Sequence, residues 1–143
     1  MSIYSDLETS ITGAMSTALG AAVPVYRLVD PGQIKFQQHP AAVSLILGEE
    51  ARDPSEELGA VLQQDERWLW LVYVVAGTQQ PVSEGRTVAY DVLAKVHGAL
   101  CPSTGFKPDS YCGMVEHVST EFVGFLPSGV LYLARYRHSR WTG

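Results

Sequence analysis

The chain lacks most of the features that announce a function. It has two cysteines, Cys101 and Cys112, too few for a disulfide framework, and without a secretory leader they read as reduced thiols. Long hydrophobic runs are missing too. The longest uncharged apolar stretch, Trp68 to Ala76, falls far short of the ~20 residues that span a bilayer. The N-terminal "MSIYSDLETS" carries Asp6 and Glu8 where a signal peptide needs an apolar core, so the expected address is a cytoplasm. Basic residues are scarce: Lys and Arg number 10 against 15 Asp and Glu, a net charge of −5. That balance argues against general nucleic-acid binding, which needs a net basic face to release phosphate counterions. There is no G-x-S-x-G elbow, no G-x-x-x-x-G-K-[ST] loop and no G-x-G-x-x-G turn, so neither nucleophilic catalysis nor phosphate cradling has local support. No enzymatic activity, cofactor or metal is expected.

What remains is globular. The chain has 143 residues, 46% of them apolar and 17% charged, which predicts one domain, 1–143. It has no internal repeat and no low-complexity segment. In "SIYSDLETSITGAMSTALG", Ile3, Leu7, Ile11, Ala14 and Ala18 recur at helical spacing beside Met15 and Leu19. Ser5 and Glu8 offer a capping box, and Gly20 is placed to end the helix. "VPVYRLV" and "PAAVSLILG" (40–48) read as strands. Leu58–Gln64 suits either a helix or a strand paired with the next one. "RWLWLVYVVAG" is a strand with both faces apolar, so it is central and needs cover on both sides. "PVSEGRTVAYDVLAKVHGALC" is a second long helix, stopped by Pro102. A final hairpin turns at "LPSGV". A three-residue loop there puts Leu126 opposite Val130, Glu121 opposite Arg135 and Ser119 opposite Arg137.

The predicted fold class is α+β: a mixed, mostly antiparallel sheet with two main helices packed on one face and a C-terminal β-hairpin. Two helices cover one sheet face. The other face of the central strand is then short of partners within the chain, which favours association between copies.

His97, Cys101, Cys112 and His117 give the spacing H-x3-C-x10-C-x4-H. Zinc takes four such ligands, but the pairs lack the tight C-x2-C knuckle, and buried thiols with boundary histidines are the commoner arrangement. His117 and Glu121 share a strand face, where a solvated pair is the ordinary outcome. The charge pattern says more. Glu49, Glu50, Asp53, Glu56, Glu57, Asp65 and Glu66 sit close together against one base, Arg52. Arg135, Arg137, His138 and Arg140 crowd the C-terminus, followed by Trp141. Each cluster alone reads as a solvated surface. Together they are electrostatic counterparts that orient a contact between copies, while apolar area supplies the affinity. The predicted contact set is therefore Glu49, Glu50, Asp53, Glu56 and Glu57 on one side and Arg135, Arg137, His138, Arg140 and Trp141 on the other. Trp68 and Trp70 of the central strand complete it.

The short amphipathic first helix, "PAAVSLIL", "GAVLQQDERWLWLVYVVAG", "GRTVAYDVLAKVHGAL" and "VLYLARYRHSRW" together resemble the tail-terminator or tail-completion proteins of long-tailed phages, in particular the Mu-like branch. The resemblance spans nearly the whole chain and contains no catalytic signature. It implies a structural protein that forms a ring, usually of six subunits, caps the tail tube, halts tube-protein polymerisation and presents a surface to a head-side connector or stopper protein. It implies a place at the head-proximal end of the virion tail after assembly in the host cytoplasm, with no membrane and no sequence-specific nucleic acid as partner. It also favours a strand at Leu58–Gln64. The competing readings are a host-encoded protein-interaction module or secretion-apparatus component of similar fold and, less favoured, a small zinc protein or enzyme.

Overall fold

The computed structural model describes residues 3–27, 40–52, 64–77, 82–126 and 129–142. The described elements are α1 (Ile3–Leu19), β1 (Val25–Arg27), β2 (Ala41–Arg52), β3 (Gln64–Gly77), α2 (Val82–Leu100), β4 (Glu116–Leu126) and β5 (Gly129–Thr142). One five-stranded sheet runs in the order β1-β2-β3-β5-β4. β1 is parallel to β2, and every other pairing is antiparallel. This is the predicted α+β architecture, with the C-terminal strand pair at one edge.

The helices follow from their apolar spacing. Leu7, Ile11, Met15 and Leu19 of α1 are buried at successive turns, and so are Ala89, Val92, Val96 and Leu100 of α2. Gly20, at φ +75, ends α1 in the left-handed conformation that glycine adopts without strain, and its N–H reaches Ser16 O at 2.9 Å. The predicted capping box does not form an N-cap, because α1 already starts at Ile3, ahead of Ser5.

Both helices lie on one face, over Ala41, Val43 and Leu45 of β2, Trp68, Trp70, Val72, Val74 and Ala76 of β3, and Val130, Tyr132, Ala134 and Tyr136 of β5. Alternation along a strand puts its even and odd positions on opposite sides, so these residues form one contiguous core. No helix covers the other face among the described residues. That face is nevertheless not bare: Ala42, Ser44, Val75, Leu131 and Leu133 are buried, while Ile46, Leu69, Leu71 and Tyr73 are half-buried. The predicted deficit is therefore confined to the half of the face nearer the N-terminal end of β3.

The C-terminal hairpin departs from its predicted register. Leu126 pairs with Gly129 instead of Val130, Ser119 pairs with Arg135, and Glu121 pairs with Leu133. Two irregularities, around Val118 and Val123, each insert a residue into β4 and shift the pairing below them. Gly129 is required where it stands, since a Cβ there would meet Ala76 O. Residues 58–63 lie outside the described set, and Gln64 already belongs to β3.

Candidate functional site

β5 carries most of the predicted contact residues, and its partners decide which of them a second molecule can reach. Leu69 pairs with Arg137 and Leu71 with Arg135, so both arginines stand on the helix-free face. Arg135 reaches diagonally to Glu121, with Nη2 2.8 Å from Oε1, and Nη1 donates to Ser119 Oγ at 3.2 Å. Arg137 Nε donates to Glu116 Oε1 at 2.9 Å. These two pairs are solvent-exposed to different degrees, Arg137 the more so at 57% of its side chain. Exposed pairs of this kind leave the arginines able to exchange partners at little cost.

Arg140 and His138 behave differently. The loop 101–115 runs along the last residues of β5 and clamps them: Gly113 N–H donates to Ser139 O and Trp141 N–H to Tyr111 O, each at 3.0 Å. Within this clamp Arg140 Nε bonds Asp109 Oδ2 at 3.2 Å and its guanidinium lies 5.3 Å from the Tyr111 ring centroid. Only 11% of the Arg140 side chain is exposed. Burial pushes the Asp109 carboxyl up, but hydrogen bonds from Cys112, the Tyr111 N–H and Arg140, with the Arg140 charge, outweigh it and hold the pKa below 3.8. His138 is buried on the helix side. Trp70 Nε1–H donates to His138 Nε2 at 2.9 Å, which leaves Nδ1 to donate to Ser139 O at 3.0 Å and fixes the neutral ring. Burial is the main cause that lowers its pKa below 6.5.

Trp68 and Trp70 correct the sequence expectation. Both are 1% exposed beneath the helices. Tyr4 lies 5.0 Å from Trp68, Trp68 and Trp70 stack at 6.0 Å, and the His138 ring stacks on both. The chain's own core takes them, so neither is available to a partner. Of the basic set, Arg135, Arg137 and the half-exposed Trp141 remain on the surface, whereas His138 and Arg140 are internal. Glu49 and Glu50 lie in β2 with their side chains outside the described set, and Asp53, Glu56 and Glu57 lie outside it altogether.

A cleft of about 680 Å³ opens beside this strand end, lined by Arg67, Cys101, Met114, Glu116, Arg137 and Ser139 among others. Arg67 pairs with Ser139 across the sheet and is exposed. The cleft offers hydrogen bonding and positive charge. It offers no activated nucleophile: Cys101 Sγ–H donates to Val115 O at 3.5 Å, and burial raises its pKa above 9.0. Burial, reinforced by the Asp109 carboxylate, raises Cys112 to about 12. His97 and His117 meet edge to face at 5.4 Å, but no group of three or more His, Cys, Asp or Glu converges on a metal position among the described residues. Nor is any described helix long and apolar enough to cross a membrane.

The sequence reading missed the apolar surface of β4. Val118, Phe122, Val123 and Phe125 are all exposed, and the strand forms one edge of the sheet. The signal was present in "EHVSTEFVGFL", where apolar residues fall on both sides of a strand.

Among the described residues these features define a class: a two-helix, single-sheet α+β fold with exposed apolar and basic surface and without a catalytic constellation. No family profile matches the chain, and no curated protein matches it in sequence. Among solved structures, the chain is similar to the sheath/tube terminator of PVC, an extracellular contractile injection system, seen by cryo-EM in its extended state. The TM-score is 0.61 at 14% identity, over 99% of this chain and 56% of that one. The likeness is one of fold, and this chain spans little more than half the length of that protein.

Proposed function

We infer that the chain is a structural assembly protein that closes the end of a tail or tail-like tube. In this reading it forms a ring, of six copies in the family it resembles, that caps the tube and stops its polymerisation. The ring also presents a face to a head-side connector or stopper protein at the head-proximal end of a virion assembled in the host cytoplasm. The pattern of elements resembles that of the Mu-like branch. The observation that carries the reading is fold likeness to a sheath/tube terminator over 99% of the chain. The surface agrees with it: half-buried Leu69, Leu71 and Tyr73 lie beside Arg67, Arg135 and Arg137 on a face that no helix covers among the described residues. Apolar area bordered by cations is suited to a protein partner carrying acidic groups. The segment containing Glu49, Glu50, Asp53, Glu56 and Glu57 in a neighbouring copy has that chemistry.

The test adds the purified chain to polymerising tail-tube protein from the same source and measures tube length by electron microscopy. Tubes should stop growing and carry one ring at a tip. Arg135→Glu with Arg137→Glu should weaken tip binding while the circular dichroism of the fold is unchanged. Tubes of undiminished length with bare tips would overturn the reading.

A further inference from the structure

The described sheet has two edges, β1 (Val25–Arg27) and β4. β4 runs 11 residues. Phe122 and Phe125 are 43% and 62% exposed, Val118 and Val123 are exposed beside them, and the strand has no Lys or Arg. α2 packs over β3 and β5 and stops short of covering β4. A corner is left open on the helix side, where Phe122 meets Phe125 at 5.3 Å and Tyr132 at 5.4 Å. Arg86 lies 6.0 Å from the Phe122 ring, and exposed Tyr90 borders the corner against Tyr132 at 5.8 Å. Exposed aromatics beside arginine are the composition of an interface centre. An edge strand whose C-terminal half is exposed and apolar, and which pairs on one side only among the described residues, is an association hazard unless something covers it.

We propose that this edge is the seam between copies of the chain: β4 and its aromatic corner receive the β1–α1 edge of the next copy. The inference rests on the self-associating ring proposed above and names its contact. Strand direction supports this occupant. β3 and β5 are antiparallel, as are β5 and β4, while β1 runs with β2 and against β3. β4 therefore runs opposite to β1. When copies are repeated about an axis along the strands, each β4 meets its neighbour's β1 as an antiparallel pair, and the sheet continues from copy to copy. Area points the same way. The exposed parts of Val118, Phe122, Val123, Phe125 and Tyr90 amount to on the order of 400 Å², about half of the ~800 Å² that each partner buries in a stable pair. Two copies alone are held weakly. Closing a ring gives each copy two seams and makes the last contact intramolecular. A two-fold pairing of β4 with itself would bury the strip once and stop at a dimer.

A benzophenone amino acid in place of Phe125, in the full chain, tests this. Irradiation at rising protein concentration should give covalent oligomers whose attachment points, mapped by mass spectrometry, fall within residues 3–27 of another copy. The double variant Phe122→Ser with Phe125→Ser should keep its melting temperature within a few degrees and lose at least tenfold in self-association by light scattering. Attachment to β4 of the second copy, attachment elsewhere, or a chain that stays monomeric at every concentration would overturn the seam. The two proposals fail separately. If the double variant caps tubes as well as the parent, the seam is lost and the capping function stands. If the parent forms the seam yet never stops tube growth, only the function is lost.

Discussion

Aromatic residues occur in the middle of this sheet and at its β4 edge, and they meet opposite fates. Trp68, Trp70 and Tyr136 in the middle strands lie under the helices and are sealed. Phe122 and Phe125 on the edge strand project on the same side of the sheet and remain open. Chemically the two groups are alike. They differ in cover, because α1 and α2 cross the middle of the sheet and end before β4. The first group holds the chain together, and the second is left for another molecule. Substitution should separate the two roles: changes in the centre lower stability first, and changes at the edge lower association first.

The largest effect belongs to the centre. Trp70→Ala removes a fully buried ring and should cost about 3–5 kcal/mol, read by chemical denaturation. Trp70→Phe keeps most of the volume but strips His138 Nε2 of its donor, for an expected loss of about 1–3 kcal/mol. If Trp70→Ala left stability unchanged and abolished association instead, the division between centre and edge would be wrong.

Next in size is the clamp. Asp109→Asn leaves the largely buried Arg140 without its carboxylate and should cost about 1–2 kcal/mol at neutral pH. In the parent, the Asp109 contribution is fully present above 3.8 and is lost as pH falls through the lower folded value.

A smaller pH dependence belongs to His138. Its folded pKa lies below 6.5, so as pH falls the unfolded chain takes up the proton first. Its effect on stability is absent above 6.5, appears as pH falls below 6.5, and grows until pH reaches the folded value. The groups that bear on it are the Trp70 N–H, Ser139 O, Asp109 and Arg140. Denaturation at pH 7.5 and pH 5.5 should show the loss in the parent, and His138→Gln, whose amide oxygen can still accept from Trp70, should flatten it.

Smallest are the exposed pairs: Arg135→Gln or Glu121→Gln should move stability by no more than about 0.5 kcal/mol.

Much of the fold could be read in the residues. Leu7, Ile11, Met15 and Leu19 mark α1 by spacing and Gly20 ends it; an unbroken apolar run marks β3, and Pro102 ends α2. The hairpin register could not be read, because the irregularities near Val118 and Val123 are backbone events with no residue signature. The basic cluster was visible as charge, and the Glu121–Arg135 pair was anticipated, though from a different register; the partners of Arg137 and Arg140 were not. Asp109 and Glu116 come from a loop and an edge strand whose approach to β5 is a tertiary fact. The tryptophans were assigned to a surface because β3 is apolar on both sides, and its sequence does not say which side the helices take. The open aromatics of β4 went unnoticed for a related reason. A strand's position at the edge is set by sheet order, which local pattern does not record.

Amide hydrogen exchange, followed by mass spectrometry in dilute chain and in chain concentrated to form the proposed ring, tests the division between centre and edge most directly. β4 amides, with those of β1, should slow markedly on assembly, while those of α1, α2 and the β3–β5 centre, already protected, should change little. Slowing concentrated in the helices, with β4 exchanging as fast as before, would contradict it.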